Sequence, residues 1–449
     1  MRSCNGSGRR RTYILLEGKR SITDRNRPVV VVGGGAAGFN AALSCRTHYP
    51  EKPVTIVDAE EQIGYYRPLL AQFVVSKIDK DKLFFWQPNH DPLLTLKLNQ
   101  NAASLDREKR LLHLEDGETL AYDRLILTPG GRPFIPPVCY SQSCRLGVFP
   151  IRSLTEAKAI RRWLPEHRNV TILGGGLVGI KTAVQLTLSG FPCVLVEKET
   201  HLLPNLMSSR PAGPIADHLC SLGVDIRIHS TVEEIRVGEL GELKEVRISG
   251  KWMLCDTLLV AIGSTPEVDF LADSGLLADN ELVVGPTLQT SDRYVFAAGD
   301  AVTIKTAEGS KNTPWTWPQA VSQGKLAGAN LYRSAPIALN RLSRVNAQNI
   351  AGLPLVVLGG EPARSCVYSE SVHQPQWWRE WCQHQDRIIG GALVGNISDA
   401  GPLHAKIATG NIVQDDIVKP GTRAFSRATW RHLRQRRQVR LFHLKETGP

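Results

Sequence analysis

Two glycine clusters, each followed at a similar distance by a carboxylate, carry the chemistry of this 449-residue chain. Gly33, Gly35 and Gly38 stand in G-x-G-x-x-G spacing, and Asp58 closes the next apolar run. Gly174, Gly176 and Gly179 repeat the spacing, with Glu197 in the place that Asp58 holds. In such a pattern the first glycine makes a tight turn, the second lets a pyrophosphate approach the backbone, and the third packs helix against strand. The helix that follows faces phosphate with unpaired N–H groups and a partial positive charge. Those groups belong to Ala36 and Ala37 in the first cluster and to Leu177 and Val178 in the second. The acid accepts from a ribose hydroxyl, with Ala59 beside it in the first cluster. The chemistry implied is dinucleotide binding, twice.

The elements around the glycines have the sequence such chemistry requires. Val29 to Val32 form an unbroken apolar run, as a central parallel strand buried on both faces does. An alanine-rich helix and a second strand, Val54 to Val57, follow. A third buried strand, Leu125 to Leu127, runs into Pro129, Gly130 and Gly131. The second copy reads VTILGGGLVGIKTAVQL (170–186), then CVLVEKE (193–199), a hairpin-rich stretch (226–254), and DTLLVAIGSTP (256–266), a strand that again ends in glycine, Gly263. The spans Gly33–Gly130 and Gly174–Gly263 are therefore an internal duplication of a whole nucleotide-binding unit. Further on, RYVFAAGDAV (293–302) is a short strand running into Gly299 and Asp300, and a helix is expected over 313–332 with Pro318 in its first turn. Four strand-like runs within 353–396 and a short helix, PLHAKIA, read as a small α+β domain.

Composition describes an ordinary globular protein, with 42% hydrophobic and 22% charged residues. No apolar run approaches the roughly 18–20 residues of a spanning helix, and the basic N-terminus lacks an apolar signal core, so a cytoplasmic protein is the expectation. The net charge of +11 is confined to the ends: residues 1–28 carry +6, residues 421–449 carry +7, and the body between them is −2. A basic groove for nucleic acid is not expected. The nine cysteines include no CxxC pair, so no metal or iron–sulfur site is expected, and their scatter fits reduced thiols.

Two nucleotide units joined to an AAGD segment resemble the pyridine-nucleotide flavoprotein reductases, and among them the rubredoxin reductases, the NADH-accepting modules of nitrite reductases and the ferredoxin reductases of oxygenase systems. The resemblance implies an α/β fold of two Rossmann-like domains with β-hairpin insertions plus a small C-terminal α+β domain. It implies FAD in the first unit, held by Gly33, Gly35, Ala36, Ala37, Gly38, Asp58, Ala59, Pro129, Gly130 and Gly299, with Asp300 on the ribityl chain. Arg67, in Tyr66-Arg67-Pro68-Leu69, matches the loop that passes the flavin ring, and Trp317 matches an aromatic beside it. NADH falls to the second unit, on Gly174, Gly176, Leu177, Val178, Gly179, Glu197 and Gly263. The third domain is the family's dimer or partner surface. The expected boundaries are a basic tail at 1–28, an FAD domain at 29–150 and 256–335, a nicotinamide domain at 151–255, a C-terminal domain at 336–420, and a basic tail at 421–449.

Two departures from the family matter. The disulfide branch carries paired cysteines after the first acid, and the peroxide and coenzyme-A-disulfide branch carries one. This chain has Gln62, Ile63 and Gly64 in that neighbourhood and no cysteine between 45 and 139. Without a thiolate there is no dithiol or sulfenate relay, and electrons leave directly from the flavin. The usual Ala-Thr-Gly before the first domain crossing is Thr128-Pro129-Gly130. Glu197 favours NADH over NADPH, because a carboxylate about 4 Å from a 2′-phosphate is opposed by roughly 4 kcal/mol at an effective dielectric of about 20; the alternative is a solvated strand-end acid. The implied reaction is hydride transfer from NADH to FAD, then electron transfer to a rubredoxin- or ferredoxin-like protein or a small-molecule acceptor. No side chain is singled out as a catalytic acid or base. Two alternatives stay open: a membrane-surface NADH:quinone reductase anchored by the C-terminal tail, and a non-catalytic NADH-binding flavoprotein acting through partners.

Overall fold

The computed structural model describes residues 27–409 apart from 87–90, 140–143, 145, 306–310, 313–315, 340–344, 360–365, 373–376 and 385–386. Both basic tails, save Arg27 and Pro28, and Trp315 lie outside the described residues. The chain forms two compact units. One comprises residues 1–65, 86–131 and 266–338, the other 66–85, 132–265 and 339–449.

The first unit is built on a five-stranded sheet of wholly parallel pairs, in the order Val295–Ala297, Arg124–Leu127, Val29–Val32, Val54–Asp58, Leu94–Leu98. Every residue of Val29–Val32 is buried, because a central parallel strand is covered on both faces. The helix Ala36–His48 follows, and against it lies the helix Trp317–Asn330. Their approach is close enough that a side chain at Gly324 would strike the Ala37 carbonyl and one at Gly328 the Ala41 carbonyl. This explains the glycine spacing inside an otherwise regular helix.

The second unit repeats the plan. Its parallel sheet runs Asp225–Arg227, Cys193–Val196, Val170–Leu173, Thr257–Val260, Val148–Pro150. A three-stranded antiparallel sheet (Val232–Val237, Leu243–Ile248, Lys251–Leu254) accounts for the hairpin-rich stretch. The C-terminal part is a five-stranded antiparallel sheet, with the helix Ala400–Thr409 packed on it. It holds the four expected strands and a fifth, Val345–Ile350, whose mixed polar sequence gave no alternation to read.

Three expectations are corrected. The domain boundaries at 150 and 256 do not match the strand pairing. Val148–Pro150 and Thr257–Val260 pair with each other in the second sheet, so the chain leaves the first unit after Gly131 and returns at Pro266. The reason is that a strand closing one unit and a strand opening the next share the same apolar sequence, and only pairing distinguishes them. Residues 66–85 also belong to the second unit, although they interrupt the first in sequence. Finally, the C-terminal segment clusters with residues 132–265. The buried Glu380 carboxylate accepts from Ser208 N and Oγ (3.2 and 2.5 Å), capping the helix Ser209–Ser221 from the C-terminal sheet. His218 of that helix meets the Ile350 carbonyl at 2.9 Å.

Candidate functional site: two matched dinucleotide sites

In the first unit the glycine turn starts at Gly33, whose φ of 88° is open to glycine and costly for other residues. Gly35 is the N-cap of the helix Ala36–His48, and no side chain caps it. A Cβ at Gly38 would strike the Gly33 carbonyl, so the third glycine is required by packing. Asp58 is buried, and both its oxygens are engaged by backbone: Gly34 N donates to Oδ2 and Glu60 N to Oδ1 (2.7 Å). The acid therefore fixes the shape of the turn. Sequence reasoning missed this clamp. Its signal was the middle glycine of each GGG triplet, Gly34 here and Gly175 in the second copy.

The segment that follows Leu127 closes over the turn. Thr128 N and its hydroxyl both donate to the Val32 carbonyl (2.8 and 2.7 Å), and the hydroxyl also lies 2.9 Å from the Gly33 carbonyl. Pro129 and Gly130 continue from there, so the Thr-Pro-Gly variant still lies on the glycine turn. On the other side Gly299 (φ 84°) abuts Ala37, and its N–H donates to Gln323 Oε1 at 2.8 Å. Asp300 lies in the short 3-10 turn Gly299–Ala301, and Trp317 is the first residue of the helix Trp317–Asn330. The expected FAD set is thus gathered in one unit with a single exception. Arg67 belongs to the second unit, where its Nη1 donates to the Arg152 carbonyl at 3.0 Å.

The second unit repeats the glycine turn and its carboxylate clamp. Gly174 turns at φ 113°, Gly176 is an N-cap without a side-chain cap, and a Cβ at Gly179 would strike the Gly174 carbonyl. Glu197 is buried and accepts from Gly175 N (2.6 Å) and Glu199 N (2.8 Å). Gly263 follows the strand Thr257–Val260 and is in the same unit. The remaining N-cap glycine and Gly263 face open space, with nothing within 4 Å of a Cβ placed at either.

These features fit a bound dinucleotide in each unit. The helix Leu154–Trp163, away from the glycine turns, has a full capping box in which Ser153 and Glu156 satisfy each other's backbone. Both fingerprint helices leave their first N–H groups without any such side chain, which is the condition for receiving phosphate oxygens.

The place where a thiol relay would sit is filled otherwise. Ile63 lies against the glycine turn, Gly64 against Trp86, and the Tyr65 hydroxyl donates to Glu60 Oε2 at 2.7 Å. Cys45 is buried in the first helix, and burial pushes its thiol up to about 12. Cys139 and Cys255 lie in the apolar core of the second unit, pushed by burial to about 12 and about 11. His201, left off the expected set, is held by Thr200 Oγ1 and the Met207 carbonyl, a structural role. Among the described residues no group of side chains is arranged to hold a metal ion, and no helix is long and apolar enough to cross a membrane.

Fold and site together define a flavoprotein reductase with one FAD site and one nicotinamide site. The chain belongs to the pyridine nucleotide-disulphide oxidoreductase family, whose model matches residues 27–324. It is accordingly an oxidoreductase that uses FAD and a nicotinamide dinucleotide. It is 29% identical over 280 residues to rubredoxin-NAD(+) reductase of Ectopseudomonas oleovorans, covering 61% of this chain and 71% of the relative. Putidaredoxin reductase of Pseudomonas putida is 27% identical over 282 residues, covering 61% and 67%. An NADH oxidase of Methanocaldococcus jannaschii is 24% identical over 352 residues, covering 75% and 78%. The fold matches putidaredoxin reductase in its covalent complex with putidaredoxin, with a TM-score of 0.81, 22% identity, and coverage of 88% of this chain and 96% of that one.

Proposed function

We propose that this chain is an NADH-dependent reductase that delivers electrons from its flavin straight to a small redox protein of the rubredoxin or ferredoxin kind. The observation that carries the reading is the Ile63-Gly64-Tyr65 turn, packed against Gly34 and Trp86 where relatives with a thiol relay place cysteine. The named relatives act on rubredoxin and putidaredoxin, which supports a protein acceptor.

In this reading the first unit holds FAD. Asp58 and Gly34 fix the turn under its pyrophosphate, the N-terminus of the helix Ala36–His48 faces the phosphates, and Asp300 meets the ribityl chain. Bound FAD supplies the redox chemistry, taking hydride from the nicotinamide and giving up electrons to the acceptor. The N-terminus of the helix Trp317–Asn330 offers partial positive charge for the negative end of the reduced ring, on the order of 0.3–2 kcal/mol. The second unit holds NADH, with the adenosine ribose at Glu197. No described side chain is required to move a proton in the hydride step.

Arg67, Pro68 and Leu69 form a short 3-10 turn that leads into the helix Leu70–Val74, and we assign this segment to the reacting end of the nicotinamide. The C-terminal sheet is the surface we assign to a second copy or to the acceptor. The test is anaerobic stopped-flow mixing of NADH-reduced holoenzyme with rubredoxin, a two-iron ferredoxin, a quinone and dioxygen. Reoxidation by one of the iron proteins at a rate well above the other acceptors is expected. Faster reoxidation by dioxygen would make the chain an oxidase, and faster reoxidation by quinone would move it to the membrane surface.

A further inference from the structure

The nicotinamide half of the second site has a chemistry of its own. The strand Val170–Leu173 pairs with Cys193–Val196 on one side and Thr257–Val260 on the other. Glu197, at the end of the first neighbour, takes the adenosine ribose. The nicotinamide therefore extends the other way, over Ile262 and Gly263 at the end of the second. Three large apolar side chains stand exposed there. Val178, in the first turn of the fingerprint helix, is 50% exposed; Ile262, in contact with the glycine turn, is 38%; and Phe134, whose N–H donates to the Gly263 carbonyl at 3.0 Å, is 48%.

Within the segments that make this end, the side-chain charge has one sign. Lys181 is one helical turn from Val178 on the same face, half-buried, and among the described residues no hydrogen bond or ion pair reaches its ammonium. Helical side chains lean toward the N-terminus, which brings the ammonium back toward the first turn. Burial with no nearby carboxylate depresses the Lys181 pKa below the usual lysine range. The segments that make this end, 70–74, 132–136, 177–187 and 257–265, contain no Asp or Glu. Arg152 borders this end, its Nη1 lying 3.3 Å from Ser264 Oγ, and its backbone N–H donates to Glu156 Oε2 at 2.7 Å.

We propose that this half-site selects the reduced, neutral ring: Val178, Ile262 and Phe134 form an apolar seat for dihydronicotinamide, and Lys181, with no carboxylate beside it, repels the positively charged ring of NAD+. The two forms of the cofactor are otherwise alike, so this end of the site is where they are told apart. Hydride loss converts a well-seated neutral ring into a cation facing a cation. The product leaves, and flow runs from NADH toward the acceptor. The inference rests on the assignment of NADH to the second unit.

The test is calorimetric titration of the FAD-loaded protein with NAD+ and with 1,4,5,6-tetrahydro-NAD, a neutral mimic that cannot donate hydride. In the wild type the neutral mimic is expected to bind at least about tenfold more tightly than NAD+. Lys181→Glu should tighten NAD+ by roughly tenfold or more and leave the mimic nearly unchanged, with Lys181→Met in between. The flavin absorbance of each variant reports that the chain is folded and loaded. Equal affinities in the wild type, or a Lys181→Glu variant with unchanged NAD+ affinity, would overturn the inference while leaving the NADH site in place. Failure to bind either nucleotide would overturn both.

Discussion

The two nucleotide units share a loop and differ in what covers it. Each has a parallel five-stranded sheet, an uncapped helix N-terminus, and a carboxylate that clamps the middle glycine and the residue two beyond itself. In the first unit the fingerprint helix lies under a second helix, Trp317–Asn330, pressed close by Gly324 and Gly328. Its Ala36, Ala37, Phe39, Ala41 and Ala42 are all buried. In the second unit Val178 is exposed in the first turn of the corresponding helix, whereas the exposed large apolar residue of the first helix, Leu43, lies past its middle. A covered helix suits a cofactor that stays, and an exposed first turn suits one that comes and goes. Under the proposed assignment of FAD to the first unit and NADH to the second, the same fingerprint serves retention once and exchange once.

The sharpest way to break that comparison is to spoil each turn in the same way. Gly38→Val and Gly179→Val each drive a side chain into the carbonyl of the first glycine of their cluster. The first should yield colourless protein that cannot be reloaded with FAD. The second should keep its flavin spectrum and lose NADH reduction, with kcat/KM down on the order of a hundredfold or more. If both variants lost FAD, the units would not be separable in function.

A milder pair tests the clamps. Asn at position 58 or Gln at 197 turns one accepting oxygen into a donor facing a backbone N–H, a mismatch of about 1–3 kcal/mol. Asp58→Asn should speed FAD release, measured by flavin fluorescence on dilution. Glu197→Gln should raise KM for NADH by roughly five- to a hundredfold, with FAD content unchanged. Equal effects on FAD in both would contradict the assignment of the two units.

Nucleotide choice comes next. NADH should reduce the flavin at least about tenfold more efficiently than NADPH, and Glu197→Arg should narrow or reverse the preference. Because Glu197 also ties down Gly175, that variant should lose NADH affinity more than it gains NADPH affinity. A wild type that prefers NADPH would show that the second strand end is read wrongly.

The smallest expected effect is none at all. Anaerobic dithionite titration should consume one two-electron equivalent per FAD, both in the wild type and in a variant with Cys45, Cys139 and Cys144 all changed to Ser. A second equivalent present only in the wild type would reveal a thiol relay that the buried thiols of Cys45 and Cys139 give no reason to expect.

Much of this was legible in the chain itself. The four valines, the glycine spacings, the acids at the second strand ends and their repetition follow from local rules, and the pairing Val29↔Val54 and Val170↔Cys193 is what those rules require. Short-range chemistry of this kind is written in consecutive residues. The helices Leu154–Trp163 and Ser209–Ser221 were not singled out, although the Ser153 and Glu156 capping box was present to be read.

What only the tertiary structure decided depends on partners remote in sequence. Asp58 and Glu197 look from sequence like free ribose acceptors, and the fold shows that both are first of all clamps on Gly34 and Gly175. The strand Thr257–Val260 has the composition of a buried strand in either unit, and its pairing with Val170–Leu173 and Val148–Pro150 assigns it to the second. Arg67 follows the first acid closely in sequence and folds with the second unit. Lys181 reads from sequence as a structural or solvated lysine, and that no counter-ion reaches it among the described residues is visible only from the fold. Sequence determines the local turn and what its backbone can bind. Which side chains are spent holding that turn, and which are left over to meet a ligand, depends on contacts across dozens of residues that no local pattern encodes.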